Sequence, residues 1–310
     1  MTIKKVNNLD LRAARKHFQE GGNVTEYLRH QIGSDVNTPA IIEAAYDLQA
    51  GDYIKYVKEN VSKSSDYSAE LAGILDMHIN ENDDILDVGA GELTTLTMIA
   101  QRLDIKPRRI HALDISWSRL YKGLSFADEF LGSGTSTLTP MVADINAIPL
   151  NDNSVEITTS SHALEPNGRQ LTGLLSELMR VTSGKLVLFE PCYEICSKEG
   201  KARMDSLGYI KDLPGVVSKL GGKLLERIEI KNVDNPLNPT CCFVIEPPAG
   251  QRSKISSDYK HEYTFPGSNE KLVRKGEFYF SNQSGLMFPV IDGIPILKLD
   301  TAILASALIE

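Results

Sequence analysis

The sequence has few cysteines, no long apolar run and no excess of positive charge. Its four cysteines, Cys192, Cys196, Cys241 and Cys242, are too few for a disulfide framework in a chain of 310 residues, so we expect buried thiols in a reducing compartment. No window approaches the roughly 18 consecutive apolar residues that a membrane-spanning helix needs. The opening segment, MTIKKVNNLDLRAARKHF, lacks the apolar core of a secretory signal. We therefore expect a cytoplasmic protein with no membrane partner.

The charge balance is acidic. Lysine and arginine number 33 against 41 aspartates and glutamates, and the formal net charge is -8. Such a chain lacks the basic surface typical of general nucleic-acid binding, so we expect a small-molecule partner and no nucleic acid. The apolar fraction of 42% and charged fraction of 24% are those of a globular protein and exclude a disordered one.

The N-terminal zone has a helical pattern. Residues 1–80 read as helices with polar links. One helix is predicted over Pro39–Leu48, behind a cap at Asn37 or Thr38, and a second over Ser68–His78.

From Asp84 onward, short apolar runs alternate with helical segments. The alternation favours βαβ units on a mainly parallel sheet, and two closely spaced late runs favour an antiparallel edge hairpin. After a Pro/Gly/Ser-rich linker at 247–257, short β-like runs and turn signals predict a small β module that closes with a helix. The predicted organisation is therefore a helical cap over 1–80, an α/β domain over 81–250 and a β-rich module over 251–310.

The strongest local signal is ILDVGAGE at 85–92. A buried strand ends in Asp87, and Gly89 and Gly91 then lead into a helix. Glycine permits positive φ and close approach of a ligand to the backbone. The dinucleotide pattern G-x-G-x-x-G is not met, because Thr94 stands at its third glycine. The glycine pair alone is weak evidence, and its value depends on the strand ends that follow.

Carboxylates end the next two predicted strands. Asp114, in HALDIS, stands where an acid can accept both hydroxyls of a ribose. The alternative is a helix cap, supplied by Asp114 or Ser116. Asp144, in VADINAIPL, stands where a carboxylate can accept the exocyclic amine of adenine while Ile145 packs beside the ring. The alternative there is a plain turn aspartate.

Taken in order, these motifs resemble those of the class I S-adenosylmethionine-dependent methyltransferases, over roughly residues 80–247. The resemblance implies a Rossmann-like seven-stranded sheet preceded by helices, with S-adenosylmethionine as cofactor. It implies these binding residues: Asp87, Gly89 and Gly91 for the methionine part, Asp114 for the ribose, and Asp144 with Ile145 for the adenine.

One departure from the family pattern lies in the glycine turn. The family's usual third glycine, in G-x-G-x-G, is Leu93 here. The larger side chain either crowds the cofactor or marks a variant loop.

The whole chain also looks like a smaller group of uncharacterised methyltransferases. That group carries an EPN motif after strand four, present here at 165–167, and a tail similar to the Trm112-like zinc-ribbon module, here SGLMFPVIDGIPIL at 284–297. Zinc-binding versions have cysteines before this motif, but the tail from 251 has none, and His261 alone cannot supply about four ligands. We expect no metal.

The acceptor side of the site is predicted from the later strand ends. Methyl transfer needs a positioned nucleophile, and a hydroxyl or protonated amine also benefits from a base. His162 is the candidate base because imidazole titrates near neutrality. Glu165 is expected either to orient that imidazole or to bind the acceptor directly, and a packing or capping role is the alternative for His162. The candidate acceptor-binding residues are Asn167, Glu190 and Tyr193 from strand-end loops and Tyr46, with Tyr53, from a helical lid. Loop hydrogen bonding or core packing is the alternative for each.

Three functional hypotheses follow. The first is a methyltransferase that modifies an oxygen or nitrogen of a small polar acceptor, such as a sugar or nucleotide-sugar precursor. The second is a non-catalytic binding or scaffold protein that acts through the Trm112-like tail. The third, a nicotinamide-dependent dehydrogenase, shares the fold class but lacks the third glycine, and fold alone does not separate it from the first. An exposed edge strand in the tail would also support a homodimer.

Overall fold

The structure, a computed structural model, describes residues 6–34, 36–132, 137–248 and 263–309. Residues 249–257 of the predicted linker, the boundary predicted at 250 and 251, and His261 lie outside these ranges. Within them, no helix combines the length and apolar character that crossing a membrane requires.

The described part of the N-terminal zone contains five α-helices after a 3-10 turn at Val6–Asn8. They are α1 (Leu11–Gln19), α2 (Val24–Ile32), α3 (Pro39–Leu48), α4 (Asp52–Glu59) and α5 (Val61–Asp76). The predicted cap of α3 is confirmed at Thr38, whose side chain accepts a hydrogen bond from the Ile41 amide at 3.3 Å, with Pro39 in the first helical position. The helix predicted over Ser68–His78 starts seven residues earlier, because the first two turns of α5 are polar and carry no apolar stripe.

A seven-stranded sheet follows. Its strands are β1 (Asp84–Val88), β2 (Arg109–Asp114), β3 (Leu138–Val142), β4 (Val155–Ser161), β5 (Thr182–Pro191), β6 (Lys223–Glu229) and β7 (Thr240–Glu246). The helices between them are α6 (Thr94–Arg102), α7 (Trp117–Leu131), α8 (Leu171–Val181), α9 (Lys198–Leu207) and α10 (Leu213–Lys219).

The strand order is β3-β2-β1-β4-β5-β7-β6. The first five strands are parallel, and β7 runs antiparallel to both β5 and β6, which confirms the predicted edge hairpin. The order reverses between β1 and β4. In open α/β sheets, ligands bind at this reversal, outside the carboxyl ends of the strands.

The sheet has an apolar layer on each face. Leu86 and Val88 of β1 pack with α8 and α10, while Ile85 packs on the opposite face with α5, α6 and α7. All five residues of β1 are buried, as expected for a central parallel strand. The four cysteines are buried and free, as predicted for their burial, and three of them (Cys192, Cys241 and Cys242) lie within these layers.

The C-terminal residues form a small antiparallel module. Its strands are β8 (Val273–Lys275), β9 (Phe278–Phe280), β10 (Leu286–Ile291), β11 (Ile294–Pro295) and β12 (Ile303–Leu304). The module ends in one short 3-10 turn over Ser306–Leu308 and not in the predicted helix, because the apolar pair of β12 is committed to pairing with β10.

The module docks on the outer edge of the large sheet. Ile296 forms a parallel bridge with Val142 of β3, and the Leu297 amide donates to the Val142 carbonyl at 2.8 Å. Leu297 is fully buried in the core layer on the α8 side of the sheet. The contact covers the unpaired backbone groups that an edge strand otherwise exposes.

Candidate functional site

A cavity of about 390 Å³ lies above the carboxyl ends of β1, β2 and β4. The N-terminal helices α3, α4 and α5 cover it, and the loop between β6 and β7 closes one side. Most of the predicted site residues line it: Asp87, Gly89, Gly91, Asp114, Asp144, Ile145, His162, Glu165, Asn167, Tyr46 and Tyr53. The strand ends that the sequence marked as separate motifs therefore meet at one place.

The glycine turn after β1 approaches its neighbours very closely. Gly89 and Gly91 have φ of 68° and 56°, a region that other residues rarely adopt. A Cβ on Gly89 would lie 2.3 Å from Cβ of Ala163, and one on Gly91 would lie 2.4 Å from Nη2 of Arg119. Both positions therefore favour glycine for conformation, and Gly89 requires it for space as well.

Leu93 does not crowd the cavity. It has φ of 55°, serves as the N-cap residue of α6 and is fully buried in the core below the turn. Its side chain points toward α7, where the absence of a side chain at Gly123 makes room: a Cβ there would lie 2.9 Å from Leu93 Cγ. Of the two alternatives for the missing third glycine, the structure favours the variant loop.

Asp87 presents a carboxylate without a hydrogen bond. The residue is buried at the end of β1, and no hydrogen bond joins its side chain to another described residue. Burial, and then the charges of Asp114 and Glu190, raise the pKa of Asp87 well above its ordinary value. A ligand cation, such as an ammonium group, would relieve both effects.

Asp114 lies at the end of β2 and holds the glycine turn. Its Oδ2 accepts from the Gly91 amide and its Oδ1 from the Ser116 amide, both at 2.8 Å. The cap of the following helix is Ser116, whose hydroxyl accepts from the Arg119 amide at 3.2 Å. The capping role falls to Ser116, so Asp114 lines the cavity instead of capping the helix.

Asp144 lies in a turn at the cavity. It lies two residues beyond β3, and its Oδ1 accepts from the Asn146 amide at 2.9 Å and from the Asn146 side chain at 2.8 Å. It is thus a turn aspartate, and it also lines the cavity together with Ile145.

His162 and Glu165 form a hydrogen-bonded pair after β4. His162 Nδ1 lies 2.8 Å from Glu165 Oε2, and its Nε2 lies 3.1 Å from the Thr240 hydroxyl. Asn238 donates to the same Glu165 oxygen at 3.2 Å. Burial alone would lower the pKa of His162, but the hydrogen bond and charge of Glu165 outweigh it and raise that pKa above its ordinary value. His162 also has φ of 57°, a strained conformation typical of functional positions.

Two predicted acceptor residues lie away from the cavity lining. Glu190 is fully buried beneath the β4 loop, where one carboxylate oxygen accepts from the Ser160 hydroxyl and from two loop amides, those of Ala163 and Leu164, at 2.8 to 3.0 Å. Burial raises the pKa of Glu190 to about 7. Tyr193 contacts Asp205 at 3.3 Å, outside the cavity. The loops at strand ends do gather there, but side-chain direction keeps these two residues out.

Comparisons with solved structures agree with this architecture. A chain of the "complex between the Haloferax volcanii Trm112 methyltransferase activator and the putative methyltransferase" aligns over 63% of this chain and 96% of its own length, with a TM-score of 0.50 at 16% identity. The fold is that of a Rossmann-like methyltransferase. The predicted fold class is therefore confirmed.

Other structures align less closely. Geranyl diphosphate C-methyltransferase from Streptomyces coelicolor A3(2) covers 57% of this chain and 78% of its own, with a TM-score of 0.45 at 13% identity. An Aquifex aeolicus SAM-dependent methyltransferase covers 57% and 89%, with a TM-score of 0.43 at 16% identity. No protein-family model matches the chain, and no curated protein matches it in sequence.

The methyltransferase fold brings in residues that the sequence did not single out. The loop after β6 supplies Asn235 and Asn238, and β7 begins with Thr240, all at the His162 end of the cavity. Tyr67 of α5 donates to or accepts from the Ser161 hydroxyl at 3.1 Å. These residues come from an antiparallel return strand and a distant helix, which leave no local motif.

Arg119 and Glu92 are the other missed residues of this methyltransferase fold. Glu92 is fully buried beside the glycine turn, and its Oε2 accepts from the Ile54 amide at 2.9 Å, in the first turn of α4. Arg119 lies in the first turn of α7, with Tyr46 and Tyr53 against its guanidinium. A signal for Arg119 was present, since the first turn after the second strand faces the same crevice as Asp114.

Proposed function

We propose that the protein is an S-adenosylmethionine-dependent methyltransferase that modifies an oxygen or nitrogen of a small polar acceptor. One observation carries the proposal: a single covered cavity joins the carboxylates Asp87, Asp114 and Asp144 at one end to the His162–Glu165 pair at the other. The first set suits a cationic amino acid and a nucleoside, and the second suits proton removal. Solvent exclusion by the overlying helices favours group transfer over side reactions with water.

The residues at the glycine turn fit the cofactor. Gly91 and Asp87 both line the cavity, and the unpartnered Asp87 carboxylate suits an ammonium group. We assign Asp87, Gly89 and Gly91 to the methionine part, Asp114 to the ribose, and Asp144 with Ile145 to the adenine. When bound, S-adenosylmethionine supplies an electrophilic methyl group on a sulfonium.

His162 would receive the acceptor's proton. In the neutral imidazole the proton lies on Nδ1, which donates a hydrogen bond to Glu165. The other nitrogen, Nε2, then carries the lone pair that can accept a proton. The Thr240 hydroxyl lies 3.1 Å from that nitrogen, so an acceptor hydroxyl or amine that reaches Nε2 would meet it by replacing Thr240 as its partner. Because the pKa of His162 is raised, we expect turnover to increase as pH rises through that value, as the imidazole loses its proton.

The acceptor end of the cavity includes several neutral hydrogen-bonding groups. Besides His162 and Glu165 it presents amides and hydroxyls, namely those of Asn167, Asn235, Asn238, Ser161, Thr240 and Tyr67. The side-chain oxygen of Asn238 is buried and has no hydrogen-bond partner among the described residues. These groups suit hydrogen bonds to the hydroxyls of an acceptor such as a sugar or a nucleotide-sugar precursor.

Calorimetric titration tests the proposal directly. We expect the purified protein to bind S-adenosylmethionine and S-adenosylhomocysteine but not NAD. Asp114→Asn should weaken S-adenosylhomocysteine by about 10- to 100-fold, because a charged acceptor becomes neutral. Asp128→Asn, which makes the same exchange on the exposed face of α7, is the matched control and should leave binding unchanged.

Other outcomes would redirect the assignment. Binding of NAD alone would favour the dehydrogenase, and binding of none of the three would favour a scaffold protein. Equal affinities for Asp114→Asn and the wild type would remove Asp114 from the site.

A further inference from the structure

The guanidinium of Arg119 lies over two aromatic rings. Its guanidinium carbon lies 5.0 Å from the ring centroid of Tyr46 in α3 and 5.0 Å from that of Tyr53 in α4. Contacts of this kind are favourable for a cation and orient the planar guanidinium. Its side chain is only 12% exposed.

The guanidinium has no hydrogen bond to any described residue. Its closest acidic atoms are Asp114 Oδ2 at 3.8 Å and Glu92 Oε1 at 4.0 Å, both beyond hydrogen-bond distance. Asp114 is engaged with the amides of Gly91 and Ser116, and Glu92 Oε2 with that of Ile54, whereas Glu92 Oε1 has no hydrogen-bond partner among the described residues. An arginine carries five N–H donors, and buried donors are nearly always paired. Arg119 therefore has N–H donors available to a ligand in the cavity.

Arg119 lies where the amino-acid part of the cofactor is assigned. Its Nη2 stands 2.4 Å from the position that a Cβ on Gly91 would take, so the guanidinium lies directly on the glycine turn. Asp87, the unpartnered carboxylate, lines the same cavity. A guanidinium and a carboxylate on one turn match the two charges of an α-amino acid.

We propose that Arg119 binds the α-carboxylate of S-adenosylmethionine and that Asp87 binds its ammonium group. The inference rests on the proposed function and adds a specificity-determining residue to it. The carboxylate is the one anionic group of S-adenosylmethionine, and arginine binds carboxylates through two parallel hydrogen bonds. The contact also explains the tyrosine pair, which holds the guanidinium plane for a planar partner and links α3 and α4 to the bound cofactor.

The experiment compares two ligands that differ only in that carboxylate. Affinities for S-adenosylhomocysteine and for decarboxylated S-adenosylhomocysteine are measured by calorimetry on the wild type, Arg119→Met and Arg119→Lys. We expect the wild type to prefer the intact ligand by about 10- to 100-fold, and Arg119→Met to lose this preference while it retains its affinity for the decarboxylated ligand. Arg119→Lys keeps the charge but not the paired donors, so part of the preference should remain. Arg274→Met, an exposed arginine near Tyr279 in the tail, is the control and should change neither affinity.

The outcomes separate this inference from the proposed function. A wild type that binds neither ligand would overturn both. A wild type that binds the intact ligand, with a preference unchanged in Arg119→Met, would overturn the inference alone. An equal loss of both affinities in Arg119→Met would also overturn it, because Arg119 would then act through the lid or Asp114. If Arg119→Met does not fold, an undiminished preference in Arg119→Lys contradicts the proposal.

Discussion

Replacing Gly123 by alanine would put a methyl group where α7 meets the glycine turn. The added Cβ would lie 2.6 Å from the Glu92 carbonyl carbon, 2.7 Å from its oxygen and 2.9 Å from Leu93 Cγ. Two of these three atoms belong to the backbone, so a side-chain rotation cannot relieve the contact. The turn or the helix has to move.

The size of the effect follows from two opposing terms. Overpacking of a close contact costs about 1–3 kcal/mol, whereas alanine in a helix interior gains roughly 0.5–1 kcal/mol over glycine. We therefore expect Gly123→Ala to lower the free energy of unfolding by about 1–2 kcal/mol. Because Glu92 and Leu93 continue the turn from Gly91, the affinity for S-adenosylhomocysteine should fall as well.

Gly73→Ala is the matched control for this substitution. Gly73 lies inside α5, and a Cβ there would meet nothing within 4 Å, so only the helix term applies and the variant should gain roughly 0.5–1 kcal/mol. Urea unfolding of both variants measures the difference, and calorimetry measures the ligand affinity. A Gly123→Ala protein that is as stable as Gly73→Ala and binds normally would refute the account of how Leu93 replaces the third glycine.

Three further predictions concern other parts of the molecule. Glu190→Gln should fold and should remove a decline in wild-type stability between pH 4.5 and about 7, because a carboxylate whose pKa is raised on folding stabilises the native state less as pH rises through that window. This decline in the free energy of unfolding should reach up to about 3 kcal/mol. Unfolding curves of the wild type and Glu190→Gln at pH 5 and pH 8 test it, and equal changes in the two proteins would argue against a buried charge at Glu190. Leu297→Ala should lower the free energy of unfolding by about 2–5 kcal/mol and should still unfold in a single transition. Leu304→Ala, at a residue 72% exposed, is the control and should change the free energy of unfolding by less than about 0.5 kcal/mol. A separate early transition in Leu297→Ala would show that the tail unfolds independently. Glu165→Gln should lower the pKa of His162 in an NMR titration, since Glu165 is what raises it, and an unchanged midpoint would contradict that cause.

The strands of the tail were predicted from local sequence patterns, but its docking on the large sheet was not. Its apolar runs and turn signals predicted a small β module, and strands are present near each run. The sequence contains nothing that pairs Ile296 with Val142, because such a contact joins residues far apart in the chain through backbone groups that every residue carries. The predicted closing helix was wrong for a related reason: Ile303 and Leu304 gain more from pairing with β10 than from a helical turn.

The sequence by itself determined the α/β fold and the cofactor half of the candidate site. A parallel sheet places the carboxyl ends of its strands along one edge, so Asp87, Gly91 and Asp114 must converge wherever those strands pair in order. The alternation of apolar and polar residues in each strand and helix depends only on neighbouring residues, as does the glycine turn. Both can therefore be recognised from the sequence.

Only the tertiary structure decided which contacts complete the acceptor half of the site and which partners the lid tyrosines have. Thr240 reaches His162 from an antiparallel strand, Arg119 lies over rings from two other helices, and Glu190 turns under the loop that it was expected to face. Each of these outcomes depends on which way a side chain points and on which distant element packs against it. Packing selects those directions only after the elements have assembled, and for that reason the spacing of residues along the chain does not encode them.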